Sequence, residues 1–101
     1  VPMASDNVVF IGKKPTMNYV LAVVTQFNSG NQTVIIKARG KAIVRAVDVA
    51  LITQRRFIQD AIVDDIRIWT DEVDIGDGER TNISSMEVVL VRQNGSSVQD
   101  E

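Results

Sequence analysis

The chain has no cysteine and no histidine among its 101 residues. Without cysteine a disulfide framework is excluded, and a reducing compartment is the expected setting. Without histidine, Ser-His-Asp and Cys-His catalysis are excluded, and so are metal sites built on imidazole or thiolate. No apolar run approaches the roughly 18 residues of a membrane span, so no membrane partner is expected. Residues 1–6 have neither a basic start nor an apolar core and do not read as a secretory signal. The expected location is therefore cytoplasmic. Three sequons, Asn31-Gln32-Thr33, Asn82-Ile83-Ser84 and Asn94-Gly95-Ser96, are then coincidental.

What is present is one domain's worth of sequence. Apolar residues make up 45% of it, enough for a single compact core. The net charge of −2 hides an asymmetry. Residues 1–60 carry eight basic and three acidic side chains, a balance of +5, whereas residues 61–101 carry three basic and ten acidic, a balance of −7. Such a split points to a basic working surface on the first half.

The most telling segment is Gly12-Lys13-Lys14-Pro15, which follows the apolar run Val8-Val9-Phe10-Ile11 and precedes a helical pattern. Pro15 suits the first helical position, where its missing N–H is no loss. Two lysines thus stand at a helix mouth, where free backbone N–H groups and the helix dipole already favour an anion such as phosphate.

A first strand is expected over residues 7–12 and a first helix over 15–28. Met17, Val20, Leu21, Val24 and Phe27 recur at i, i+3, i+4, i+7 and define its apolar face. Gly30 reads as the residue that ends it. Residues 33–39 form a β-branched second strand on which Lys37 and Arg39 share a face. Gly40 turns the chain into a second helix, from about 41 to 57. At 100° per residue Lys41, Arg45, Asp48, Ile52 and Arg55 form one stripe, and most of the remaining circumference is apolar. So wide an apolar arc suggests burial on two sides, against the sheet and against another subunit.

The rest reads as a β-hairpin with strands over 62–75 and 82–92 and a turn at Gly76-Asp77-Gly78. Ile62, Ile66 and Ile68 are expected on one face, with Asp64 as the exception, and Met86, Val88 and Leu90 on one face of the last strand. A strand of this length extends about 43 Å, against a radius of gyration of about 13 Å for a globule of this size. The polar distal half, residues 70–84, is therefore expected to project as an arm. The order β-α-β-α-β-β predicts an α/β (α+β) two-layer sandwich: a four-stranded mixed sheet with both helices on one face and a long β3–β4 hairpin arm. Residues 7–92 form the single expected domain, with flexible ends at 1–6 and 93–101.

Other candidate chemistry weakens on inspection. The arm carboxylates Asp74, Asp77 and Glu79 lack calcium-loop spacing, so no metal or other cofactor is expected. Asp64 and Asp65 are strand neighbours, point to opposite faces and make no catalytic pair. Arg55 and Arg56 suit a helix C-terminus. Tyr19 either meets nucleic acid or packs, and Trp69 either covers the other sheet face or meets a partner subunit. No small-molecule substrate or enzymatic constellation emerges.

The stretches Asn7-Val8-Val9-Phe10-Ile11-Gly12-Lys13-Lys14-Pro15-Thr16-Met17-Asn18-Tyr19-Val20 and Val34-Ile35-Ile36-Lys37-Ala38-Arg39-Gly40-Lys41-Ala42-Ile43, continued by Arg45-Ala46-Val47-Asp48 and Arg55-Arg56-Phe57, resemble the Alba family of archaeal chromatin proteins over roughly residues 6–92. The resemblance implies a dimeric, nucleoid-associated protein that binds double-stranded DNA, and often RNA, with little sequence preference. It implies that Lys13 and Lys14 contact phosphates and are candidates for acetylation. Asn18 and Tyr19 fall near these lysines in the first turn of the helix, and the acidic arm is expected to stay off the groove or to touch it only through Arg80 and Asn82. The resemblance implies that Arg39, Lys41 and Arg45 extend the lysine surface and that the hairpin arm reaches along the minor groove. It places Phe57 between neighbouring dimers, although its helical angle equally allows a core role. The arm departs from the family: Asp71, Glu72, Asp74, Asp77 and Glu79 surround a single Arg80. Two alternatives therefore stand beside a homodimeric DNA-binding protein. One is an RNA-binding module, and the other is an acidic subunit that pairs with a more basic paralogue.

Overall fold

A computed structural model describes residues 7–93. The element order is β1 (Val8–Phe10), α1 (Thr16–Asn28), β2 (Thr33–Arg39), α2 (Ala42–Ile52), a π-helical turn (Thr53–Phe57), β3 (Ala61–Gly76) and β4 (Glu79–Arg92). The strands form a mixed sheet in the order β1-β2-β4-β3. β1 and β2 are parallel, as a β-α-β unit requires, and the other pairs are antiparallel. Of the segments expected to be flexible, residues 1–6 and 93–101, all but Gln93 lie outside the described residues. Gln93 is tied back, its N–H donating to the Asp60 carbonyl at 3.0 Å.

The core lies between the sheet and the two helices. Alternation along β2 buries Val34, Ile36 and Ala38, and β4 adds Met86, Val88 and Leu90 to the same layer. Leu90 and Ile36 are fully buried, each contributing roughly 1.5–3 kcal/mol of apolar transfer. The helices close this layer with Val20, Val23 and Phe27 from α1 and Ala46, Val49 and Ala50 from α2.

Three expectations are corrected. Pro15 stands one position earlier than its sequence suggests, as the N-cap rather than the first helical residue. The buried stripe of α1 runs through Val23, whereas Met17 and Leu21 are exposed. Both sets flank Val20 at helical spacing, and only docking onto the sheet selects between them. On β3 the register shifts between Val63 and Asp65. The extra residue at Asp64 inverts the alternation, so Val63, not Ile62, shares a face with Ile66 and Ile68.

The hairpin explains the shape of the molecule, 60 × 25 × 24 Å. β2 ends opposite Ser85, at Arg39, so the hairpin beyond it loses its sheet neighbour and projects. The second helix does not run regularly to Phe57, because its last turn widens to π geometry.

Candidate nucleic-acid interface

Because β1 and β2 are adjacent and parallel, their C-terminal ends lie at the same end of the sheet. Each is followed at once by a helix. The loop of residues 11–15 and the Gly40-Lys41 turn are therefore neighbours. The hairpin leaves the body from this same end, where the Gly40 N–H donates to the Ser84 carbonyl at 2.8 Å. Gly40 has φ +55°, and a Cβ there would meet the Ile83 side chain at 3.2 Å. A larger residue would strain the turn and press on the root of the arm.

The first loop is held from two helices. Tyr19, one turn into α1, places its hydroxyl oxygen to accept from the Lys14 N–H at 3.0 Å. Arg45 reaches across from α2, and its Nη1 donates to the Gly12 carbonyl at 2.8 Å. Gly12 itself lies so close to Tyr19 that a Cβ would stand 3.1 Å from the hydroxyl. Tyr19 and Arg45 thus fix the backbone that presents the two lysines.

Lys13, Lys14 and Lys41 are exposed. None of the three has an ion-pair partner among the described residues. No side chain caps the N-terminus of either helix among the described residues. Three unengaged ammonium groups therefore stand beside two helix mouths whose first N–H groups favour an anion.

The other sequence candidates are placed differently. Arg39 is exposed, but Asp71 of the arm lies 3.5 Å from its guanidinium. Arg80 is held by two arm carboxylates, Glu72 at 2.7 Å and Asp74 at 3.2 Å. Asn18 is exposed in the first turn of α1, and Asn82 is exposed on the arm opposite Glu72. Phe57 is 42% exposed at the end of the π turn, some distance along the chain from the lysine loops. Sequence reasoning missed Asp71 as a hub. It accepts from Ser85 Oγ at 2.8 Å and from Trp69 Nε1 at 3.1 Å, and it also pairs with Arg39. The alternation of residues 69 and 71 on one strand face was the available signal. No group of three or more acidic side chains suited to a metal occurs among the described residues. No helix among them is long and apolar enough to cross a membrane.

A mixed sheet with two helices on one face, a projecting hairpin and paired strand-to-helix junctions rich in lysine defines a class of α+β proteins. The Alba family profile matches residues 7–68, and the chain belongs to that family. It is 57% identical over 91 residues to the DNA/RNA-binding protein Alba of Picrophilus torridus, covering 89% of this chain and all of that one. It is 59% identical over 88 residues to the protein of the same name from Methanothrix thermoacetophila, covering 87% and 98%. Alba from Thermoplasma volcanium superposes with a TM-score of 0.80 at 55% identity, covering 84% of this chain and 99% of that one. ALBA1 from Trypanosoma brucei shares the fold alone, with a TM-score of 0.70 at 22% identity over 88% of this chain and 71% of that one.

Proposed function

We propose that the chain is a dimeric, nucleoid-associated protein that binds double-stranded DNA through backbone phosphates with little regard to sequence. The observation that carries this reading is the side-by-side placement of Lys13, Lys14 and Lys41, unpaired among the described residues, at two adjacent helix mouths. Point charges on flexible stems grip phosphates and read no base edges. Arg45 and Tyr19 support the loop, while Arg39 stays paired with Asp71 when a duplex binds. Acetylation of Lys13 or Lys14 would remove one charge and weaken the grip. The relatives named DNA/RNA-binding protein support the ligand class.

A dimer is favoured by apolar surface that one chain leaves open. Val44 and Val47 of α2 and Val63, Ile66 and Ile68 of β3 are exposed on the helix side of the sheet. Ile43 of α2 and Ile68 of β3 line one shallow depression, which joins the two elements on this side. A patch of this kind marks an interaction surface.

The test is a salt titration of duplex DNA binding. Three lysines from each protomer neutralise about six phosphates, so log K should fall against log salt with a slope of about −5. Lys13→Ala with Lys14→Ala leaves about two phosphate contacts and a slope of about −2. A double variant with wild-type affinity and slope would refute the assignment. RNA is the second reading, favoured by the relatives' names. Competition between duplex DNA and structured RNA ranks the two. The acidic arm favours a mixed dimer with a more basic paralogue.

A further inference from the structure

Among the described residues, no second layer covers the face of the sheet opposite the helices. An open face of an antiparallel sheet is ordinarily polar, and here much of it is. Lys37 pairs with Glu87 at 3.1 Å, and Arg67 approaches Glu87 at 3.8 Å and Asp65 at 3.2 Å. Against this background two aromatic side chains stand out. Phe10 on β1 is 70% exposed and Trp69 on β3 is 42% exposed. The core uses neither of them, so folding does not account for them.

Both aromatics line one open groove of about 480 Å³, together with Lys37, Arg39, Asp71 and Ser85. That size falls in the range of small-ligand sites. Trp69 is held in place: its Nε1 donates to Asp71 Oδ1 at 3.1 Å, and Ser85, itself buried, donates to Asp71 Oδ2 at 2.8 Å. Lys37 Nζ lies 5.8 Å from the centroid of the Phe10 ring. The groove therefore combines a locked indole, an open phenyl ring and two cations. Its Arg39 end runs into the lysine-bearing junctions.

We propose that this face is a stacking platform for single-stranded nucleic acid, with unpaired bases on Trp69 and Phe10 and phosphates on Lys37 and Arg39. The reasoning is chemical. Base faces are hidden in a duplex and available in a single strand, and an aromatic ring stacks on any base. Arginine and lysine in the same groove match the phosphates between successive bases. An apolar protein partner would leave Lys37, Arg39, Asp71 and Glu87 to be desolvated. The platform extends the nucleic-acid reading to a different surface from the lysine loops, so a strand could occupy it while a duplex rests on the loops.

The chain's single tryptophan makes the test direct. Trp69 emission is followed while the intact protein is titrated with a short oligothymidylate and, separately, with blunt duplex DNA. The single strand should quench the emission and the duplex should leave it nearly unchanged. Phe10→Ala, a change at an exposed position, should weaken oligothymidylate binding roughly tenfold, within the range for one stacked base, and leave duplex affinity intact. Lys13→Ala with Lys14→Ala should weaken duplex binding and retain the quench, which separates this site from the phosphate loops. Oligothymidylate binding without quenching, in protein that still binds duplex, would overturn the platform and leave the loops standing. Equal losses for single strand and duplex in Phe10→Ala would overturn it too. So would emission that changes with protein concentration alone, which would report a second copy on this face.

Discussion

Arg45 offers the sharpest test of how the interface is built. Family resemblance puts it among the phosphate ligands, whereas in the structure its Nη1 donates to the Gly12 carbonyl at 2.8 Å, from α2 to the loop after β1. A hydrogen bond to a charged group contributes about 1.5–3 kcal/mol. Arg45→Met keeps much of the aliphatic stem and removes the guanidinium, so the loss should be near the lower end, about 1.5–2 kcal/mol. For a domain of this size that lowers the melting temperature by about 6–16 °C. The freed Gly12 carbonyl also lets the lysine loop sample other conformations, and duplex affinity falls. Because Arg45 positions the lysines without neutralising a phosphate, the salt slope should stay near its wild-type value. The assays are thermal denaturation by circular dichroism and duplex binding at several salt concentrations. A variant with unchanged stability whose slope flattens by about 2, one phosphate per protomer, would show that Arg45 is a ligand and refute the argument.

Three further outcomes are expected. Glu72→Gln with Asp74→Asn releases Arg80 from both arm partners and removes two repelling charges. Duplex binding should tighten, most at low salt where the Debye length is long, and binding isotherms that match wild type would show that the arm's acids are no brake. Val44→Glu places a charge in the exposed apolar patch of α2. Sedimentation should shift from dimer to monomer with the helical circular dichroism retained, and a persistent dimer would move the interface elsewhere. Thr53 is fully buried, and its Oγ1 finds no hydrogen-bond partner among the described residues. Thr53→Val removes that unmet hydroxyl in nearly the same shape and should stabilise the fold by about 1 kcal/mol, whereas a fall in melting temperature would reveal a bond the hydroxyl makes.

Much of this molecule is decided locally and was legible for that reason. β-branched residues at 33–36 make a strand without tertiary help, and alternation puts Lys37 and Arg39 on its open face. Helical spacing after Pro15 sets a helix directly behind two lysines, and the Gly76-Asp77-Gly78 turn dictates the hairpin. Chain length against globule size dictates that the hairpin projects. The family follows from the same short segments. Other features depend on register and docking across long stretches of chain. Spacing alone could not choose between Val23 and Leu21 for the core, because the contact with the sheet selects one edge of an apolar arc. The extra residue at Asp64 inverts half a strand, and nothing in the local pattern except that misplaced aspartate marks it. Arg39 meets Asp71, and Arg45 meets Gly12, across about 30 residues of chain. Composition counted both arginines as free positive charge. Tertiary structure decided which cations are engaged and which are open, because an ion pair depends on where the fold brings its two ends.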